Sequence, residues 1–210
     1  MDFRFLNAER KAKQESLTYT ILNPEGKMAL LKSINVPLGT KAIDFCLKGI
    51  DGKMHSLADY DDKEILVIII MCNHCPYVQA VDDRLVQLQE KFVERNVQLV
   101  GINPNDGIKY PEDNFEGMVK RAKEKGYNFP YLRDEDQSIA KKYQAQCTPD
   151  IYVYNKEREL CYHGQIDDNW QHPDKVTSHD LNDAIQALLE GETPSSNQYP
   201  SMGCSIKWKG

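Results

Sequence analysis

Ile65-Leu66-Val67-Ile68-Ile69-Ile70-Met71-Cys72-Asn73-His74-Cys75-Pro76 is the stretch whose reading decides the fold. Its apolar, β-branched first half is bounded by charge and reads as a strand buried on both faces, as central strands of parallel or mixed sheets are. Pro76 stands where the first turn of a helix tolerates proline. Val78, Val81, Leu85, Leu88 and Phe92 then recur at alternating steps of three and four, one apolar helical stripe. Two cysteines therefore sit between the carboxyl end of a buried strand and the start of a helix.

Working outward, Val97 to Ile102 reads as the next strand, and Phe115, Met118, Val119 and Ala122 mark a helix ended near Gly126. Phe129 to Leu132 is a short strand, and Ile139, Ala140 and Tyr143 indicate a short helix. Ile151 to Tyr154 and Leu160 to His163 form two strands around a charged turn. Leu181, Ile185, Leu188 and Leu189 mark a last helix, with Ser178 as its cap and Gly191 past its end. Upstream, Phe3 to Gln14 suggests a helix and Asn23-Pro24-Glu25-Gly26 a turn, while Ile43 to Leu47 meets Asp51-Gly52, a hairpin signal. The order β-α-β-α-β-α-β-β-α predicts an α/β fold, a central mixed sheet with helices on both faces. Residues 36–191 form the expected domain, with an N-terminal extension over 1–35 and a polar C-terminal tail over 192–210.

Composition narrows the function. The 26 Lys+Arg against 32 Asp+Glu give a charge of −6 with no basic run. That argues against nucleic acid and against an anionic membrane surface. The longest apolar run, Ile65 to Cys72, falls far short of the ~20 residues that span a bilayer. No signal-peptide pattern follows Met1, so a cytoplasmic location is expected. No glycine loop for phosphate is present, and no cofactor is required if the cysteines carry the electrons.

Cys72 and Cys75 have the spacing that, between strand and helix, reads as a redox pair. Cys72 beyond the helix N-terminus should have a lowered pKa and act as the nucleophile; Cys75 should resolve the mixed disulfide by attacking Cys72. Asn73 and His74 between them would tune the couple, a cation at His74 favouring the thiolate. Thr148-Pro149-Asp150 marks the start of a later strand. Asn103 and Asp106, at the end of the strand after the CxxC helix, are expected on the rim, since ligands of open sheets collect at strand carboxyl ends. Of the other cysteines, Cys46 and Cys161 are expected to pack in strands as small hydrophobes. Cys147 is either packing or a third redox thiol, and Cys204 in the tail is a candidate auxiliary thiol. Other classes fit fewer residues. A metal protein could use Cys72, His74 and Cys75 with a distant His163 or His172, but structural zinc most often takes two ligand pairs and only one is present; no metal is expected. A cysteine hydrolase, or an idle structural staple, is the remaining alternative.

These residues resemble the thioredoxin-like superfamily: Cys72-Asn73-His74-Cys75-Pro76 after a buried strand, then Thr148-Pro149 before a β-β-α unit. Gly101 to Asp106, Gly164 to Asp168 and Gly203-Cys204-Ser205-Ile206-Lys207-Trp208 resemble a bacterial group within its redoxin, or thiol-specific-antioxidant, branch. The likeness spans roughly residues 35–208. It implies a thioredoxin-like fold and thiol–disulfide exchange with disulfide-bearing proteins or small thiols, served by an electron donor that the sequence does not identify. It also implies a cis Pro149 packed on the cysteines, with Thr148 backbone pairing to substrate, and an insertion near 112–126. The pattern departs from thioredoxins proper at Met71 and at Asn73-His74, and Ile65 to Met71 lacks their buried acid. Peroxidases of the branch place Thr or Ser three residues before the reactive cysteine; here Ile69 stands there. Thiol-dependent peroxidase activity is thus the second reading, and copper binding on the same fold the third.

Overall fold

β4 (Ile65–Ile70) takes the middle of the sheet because all six of its side chains are apolar, and none is more than 2 % exposed. Full burial of each such side chain is worth roughly 1.5–3 kcal/mol, so the strand goes where both faces are covered. Alternation sends Ile65, Val67 and Ile69 to one core and Leu66, Ile68 and Ile70 to the other. The structure, a computed structural model, describes residues 30–210. The expected helix over Phe3–Gln14 and the turn at Asn23–Gly26 lie outside the described residues.

β5 (Val97–Asn103) pairs parallel with β4, and β8 (Asp150–Tyr154) pairs antiparallel on its other side. β6 (Tyr131–Arg133), β2 (Cys46–Gly49) and β3 (Met54–Ser56) extend one flank and β9 (Leu160–His163) the other, giving the order β3-β2-β6-β5-β4-β8-β9. This is the mixed sheet expected. α1 (Pro76–Phe92) lays Val78, Val81, Leu85 and Phe92 on one face beside Leu181 and Ile185 of α4 (Asp180–Leu189). α2 (Phe115–Lys125) adds Met118 and Ala122 to that core, and α3 (Ser138–Lys142) covers the opposite face with Ile139 and Ala140. α2 starts on Asn114, whose side chain accepts the Gly117 N–H, and ends at Gly126 with φ 64°. Ser178 does not cap α4 as expected: His179 holds that position, and the Ser178 hydroxyl donates to Asp180 Oδ1 at 2.7 Å. Among the described residues no helix is long and apolar enough to cross a membrane.

The division into extension, domain and tail needs correction. β1 (Leu30–Lys32), β10 (Met202–Ser205) and β7 (Cys147–Thr148) form a second antiparallel sheet in the order β1-β10-β7. Residues from both supposed appendages thus pack on the domain, with Cys204 opposite Thr148. Gly203 makes this approach feasible. A Cβ there would lie 1.9 Å from the Thr148 carbonyl oxygen, a distance no side chain tolerates.

Candidate active site

Cys72 and Cys75 meet at the junction of β4 and α1, both reduced and both buried. Around Cys72 the surroundings are polar. His74 Nδ1 pairs with Asp113 Oδ2. Asp113 is fully buried, and three other groups also donate to it: the Asn73 N–H at 2.6 Å, Asn105 Nδ2 at 2.8 Å and Asn103 Nδ2 at 3.3 Å. Burial would raise this carboxyl, but His74 and Asn105 outweigh it and hold Asp113 below the usual range. The His74 ring stacks on Tyr110 with centroids 5.1 Å apart. Tyr131 donates to Asn73 Oδ1 at 2.9 Å and accepts from Asn103 at 3.0 Å, so the residue between the cysteines is held from both sides. Among the described residues, Cys72 Sγ, a His74 ring nitrogen and an Asp113 oxygen lie within 4.8 Å of one another.

Around Cys75 the surroundings are sulfur and backbone. Cys75 Sγ stands 3.1 Å from the Thr148 carbonyl, to which only its thiol form donates. The Cys204 thiol hydrogen-bonds to it from β10. Thr148 Oγ1 reaches the other way, to Cys72 Sγ at 3.3 Å. The Thr148–Pro149 peptide is cis, as the resemblance implied.

Charge is distributed differently from the expectation that Cys72 holds the thiolate. It is Cys75, not Cys72, that occupies the N-cap of α1. Burial, the Cys75 sulfur and the Asp113 charge push the Cys72 thiol up. Burial acts on Cys75 too, but hydrogen bonds from Cys204, Cys72 and Thr148 overcome it and draw Cys75 down. These surroundings favour negative charge on the inner sulfur, Cys75, over the outer one.

Several sequence-predicted residues fall elsewhere. Asn103 belongs to the site, but Asp106 does not line its rim: its Oδ1 accepts the N–H groups of Ile108 and Lys109 in its own turn. Thr148 is fully buried and its strand already pairs with Cys204, so its backbone is not open to a peptide in this state. Cys147 is buried with its sulfur 3.8 Å from the carbonyls of Pro149 and Ser201; burial, Asp150 and Cys75 raise its thiol, the profile of an inert packing residue. Cys46 is exposed and Cys161 half-buried, so core packing fails for the first. His163 is bound to Asp150 at 2.8 Å and stacks on Tyr152, and His172 is exposed, so neither joins the cysteines. Asp113, Asn105 and Tyr131 are the site residues that the sequence reading did not single out. Cys72, His74 and Asp113 offer a metal three donor atoms, yet both Asp113 oxygens already accept two hydrogen bonds each, and an ion would have to displace His74.

The AhpC/TSA family profile matches residues 38–163. No curated protein matches the sequence. Two solved structures resemble nearly the whole described chain. One is an uncharacterized conserved protein from Geobacillus kaustophilus, 44% identical, covering 87% of this chain and 97% of that one with TM-score 0.82. The other is a hypothetical protein from Sinorhizobium meliloti 1021, 39% identical, covering 85% and 98% with TM-score 0.81. The thioredoxin domain of a thiol-disulfide oxidoreductase from Bacteroides vulgatus is 14% identical over 61% of this chain and 89% of that one, with TM-score 0.54, and shares the fold. With the buried strand, the CxxC junction and the cis proline in place, the chain belongs to the AhpC/TSA family, in the redoxin branch of the thioredoxin-like superfamily.

Proposed function

We propose that the protein is a thiol–disulfide oxidoreductase in which Cys72 attacks disulfides of proteins or small thiols, Cys75 resolves, and the His74–Asp113 pair moves the proton. The observation that carries this reading is the convergence of the Cys72 sulfur, the His74 ring and the buried Asp113 carboxylate within 4.8 Å. It is the arrangement of nucleophile, base and orienting acid that activated nucleophiles share.

Cys72 rests as a thiol, so its proton must leave before attack. His74 takes it, and the ionised Asp113 stabilises the resulting imidazolium and fixes the ring. The Cys72 thiolate forms a mixed disulfide with one substrate sulfur, and the departing sulfur receives the proton from His74. The Cys75 thiolate then attacks Cys72 Sγ, closing Cys72–Cys75 and releasing the second substrate sulfur. Substrate access requires a movement that uncovers Cys72, which is 1 % exposed in the resting state. In a reducing cytoplasmic setting the cycle runs as disulfide reduction, and a separate donor reopens the pair.

The Thr148 hydroxyl favours a second reading. Its 3.3 Å approach to Cys72 supplies through space the hydroxyl that sequence spacing denied a thiol-dependent peroxidase. A titration in glutathione buffers, with differential alkylation and mass mapping, tests the first reading. Cys72 and Cys75 should close reversibly between roughly −120 and −270 mV, the range of exchange proteins. Cys72→Ser should abolish disulfide-reducing turnover. A pair that never closes would sink the proposal, and consumption of hydrogen peroxide with dithiothreitol as reductant, without disulfide turnover, would favour the second.

A further inference from the structure

We infer that Cys204 is a third redox thiol, which takes Cys75 from the Cys72–Cys75 disulfide by internal exchange. This rests on the thiol–disulfide reading above and extends it to a relay through the C-terminal strand.

Three features of the backbone bring Cys204 there. β10 pairs with β7 in the register Cys204 opposite Thr148, and Thr148 is the residue whose carbonyl lies 3.1 Å from Cys75 Sγ. Gly203 permits the approach, since any Cβ at that position would strike the same carbonyl. Cys204 is 2 % exposed and belongs to the same core cluster as Cys72 and Cys75, with its thiol hydrogen-bonded to Cys75. Cys75 is therefore flanked by two sulfurs, Cys72 within its motif and Cys204 from the chain end.

The step balances without an outside reagent once Cys72–Cys75 has formed. Cys204 loses its proton and attacks Cys75 Sγ. The Cys75–Cys204 bond forms, the Cys72–Cys75 bond breaks, and Cys72 leaves as a thiolate that takes up the proton. No net oxidation occurs. The oxidising equivalent moves inward, behind β10, and Cys72 is restored as a nucleophile beside His74. The new bond would also tie β10 covalently to the start of α1, which keeps the Thr148 edge covered.

The test uses the full-length Cys72→Ser protein, with Cys72→Ala as a second variant in case one fails to fold as judged by circular dichroism. Each is oxidised with glutathione disulfide, trapped with N-ethylmaleimide, digested and mapped by mass. At least half of the molecules should carry a Cys75–Cys204 linked peptide, and Gly203→Ala added to the same background should reduce that yield several-fold by displacing β10. Recovery of Cys75 and Cys204 both alkylated, or of Cys75 only as its glutathione adduct, would overturn the inference. The two readings fail separately. Wild-type protein that closes Cys72–Cys75 while the Cys72 variants give no Cys75–Cys204 link removes the relay alone, whereas wild type that never closes Cys72–Cys75 removes the exchange reading beneath it.

Discussion

The two cysteines of one motif, three residues apart, live in opposite chemical settings. Cys72 faces the Thr148 hydroxyl, an imidazole and a carboxylate that three amides hold in place. Cys75 faces a carbonyl, a helix start and a sulfur from the chain end. The polar side can exchange protons and the sulfur side can exchange bonds. On the proposed cycle the difference divides the work of the pair: His74 and Asp113 would control when Cys72 becomes reactive, while Thr148 and β10 would control what Cys75 does next.

The sharpest way to break this division is Asp113→Asn. Loss of the charge behind His74 should lower disulfide-reducing turnover by roughly 10²-fold or more, the scale of general-base contributions. Groups acting as one unit are non-additive. Asp113→Asn combined with His74→Ala should therefore be no slower than His74→Ala alone, in steady-state assays. An additive double variant would mean that Asp113 acts on Cys72 directly.

On the other side, Gly203→Ala probes the fit of β10. Forcing a methyl group against the Thr148 carbonyl should cost about 1–3 kcal/mol, the usual price of overpacking, read by urea unfolding. Thr148→Val tests the bridge between the two sides. It keeps the shape and removes the hydroxyl 3.3 Å from Cys72, so turnover should fall by less than about tenfold, in line with ~1 kcal/mol for one hydrogen bond.

The part of the site that is local in sequence was legible. The uniform burial of Ile65 to Met71 and the three-four stripe of α1 follow from side-chain chemistry, and they alone place Cys72 and Cys75 at a strand–helix junction. Asp113 was not legible, because it reaches Asn73 across 40 residues and lies in a short 3-10 turn with no periodicity of its own. The run Asn103-Pro104-Asn105-Asp106 did point there, but the charged member drew the attention that its amide neighbour merited. Asn105 gives its Nδ2 to Asp113 and accepts the Lys207 N–H at 2.9 Å on Oδ1, so the chain end orients the acid as well as supplying Cys204. Non-local pairing of this kind leaves no local pattern beyond the glycine at 203. Cys46 failed for another reason. Residue type suggested burial, but strand alternation puts Leu47 inward and Cys46 outward, and alternation won.

The acid limb of stability gives the smallest effect and isolates Asp113 from catalysis. Its carboxyl is held below its ordinary value of 3.8 by His74 and Asn105 acting against burial. Between the folded and unfolded pKa values the unfolded chain binds the proton first, so stability rises with pH there. The contribution is complete above pH 3.8 and is lost as pH falls through the folded value. Urea unfolding of wild type and Asp113→Asn between pH 3 and 7 should show the wild-type curve falling more steeply at the acid end, with the two slopes alike above about pH 5. Parallel acid limbs would mean that the carboxylate has the same proton affinity folded and unfolded. The hydrogen bonds around it would then hold His74 in place without stabilising its counter-charge, and the polar side of the motif would be a scaffold instead of a proton relay.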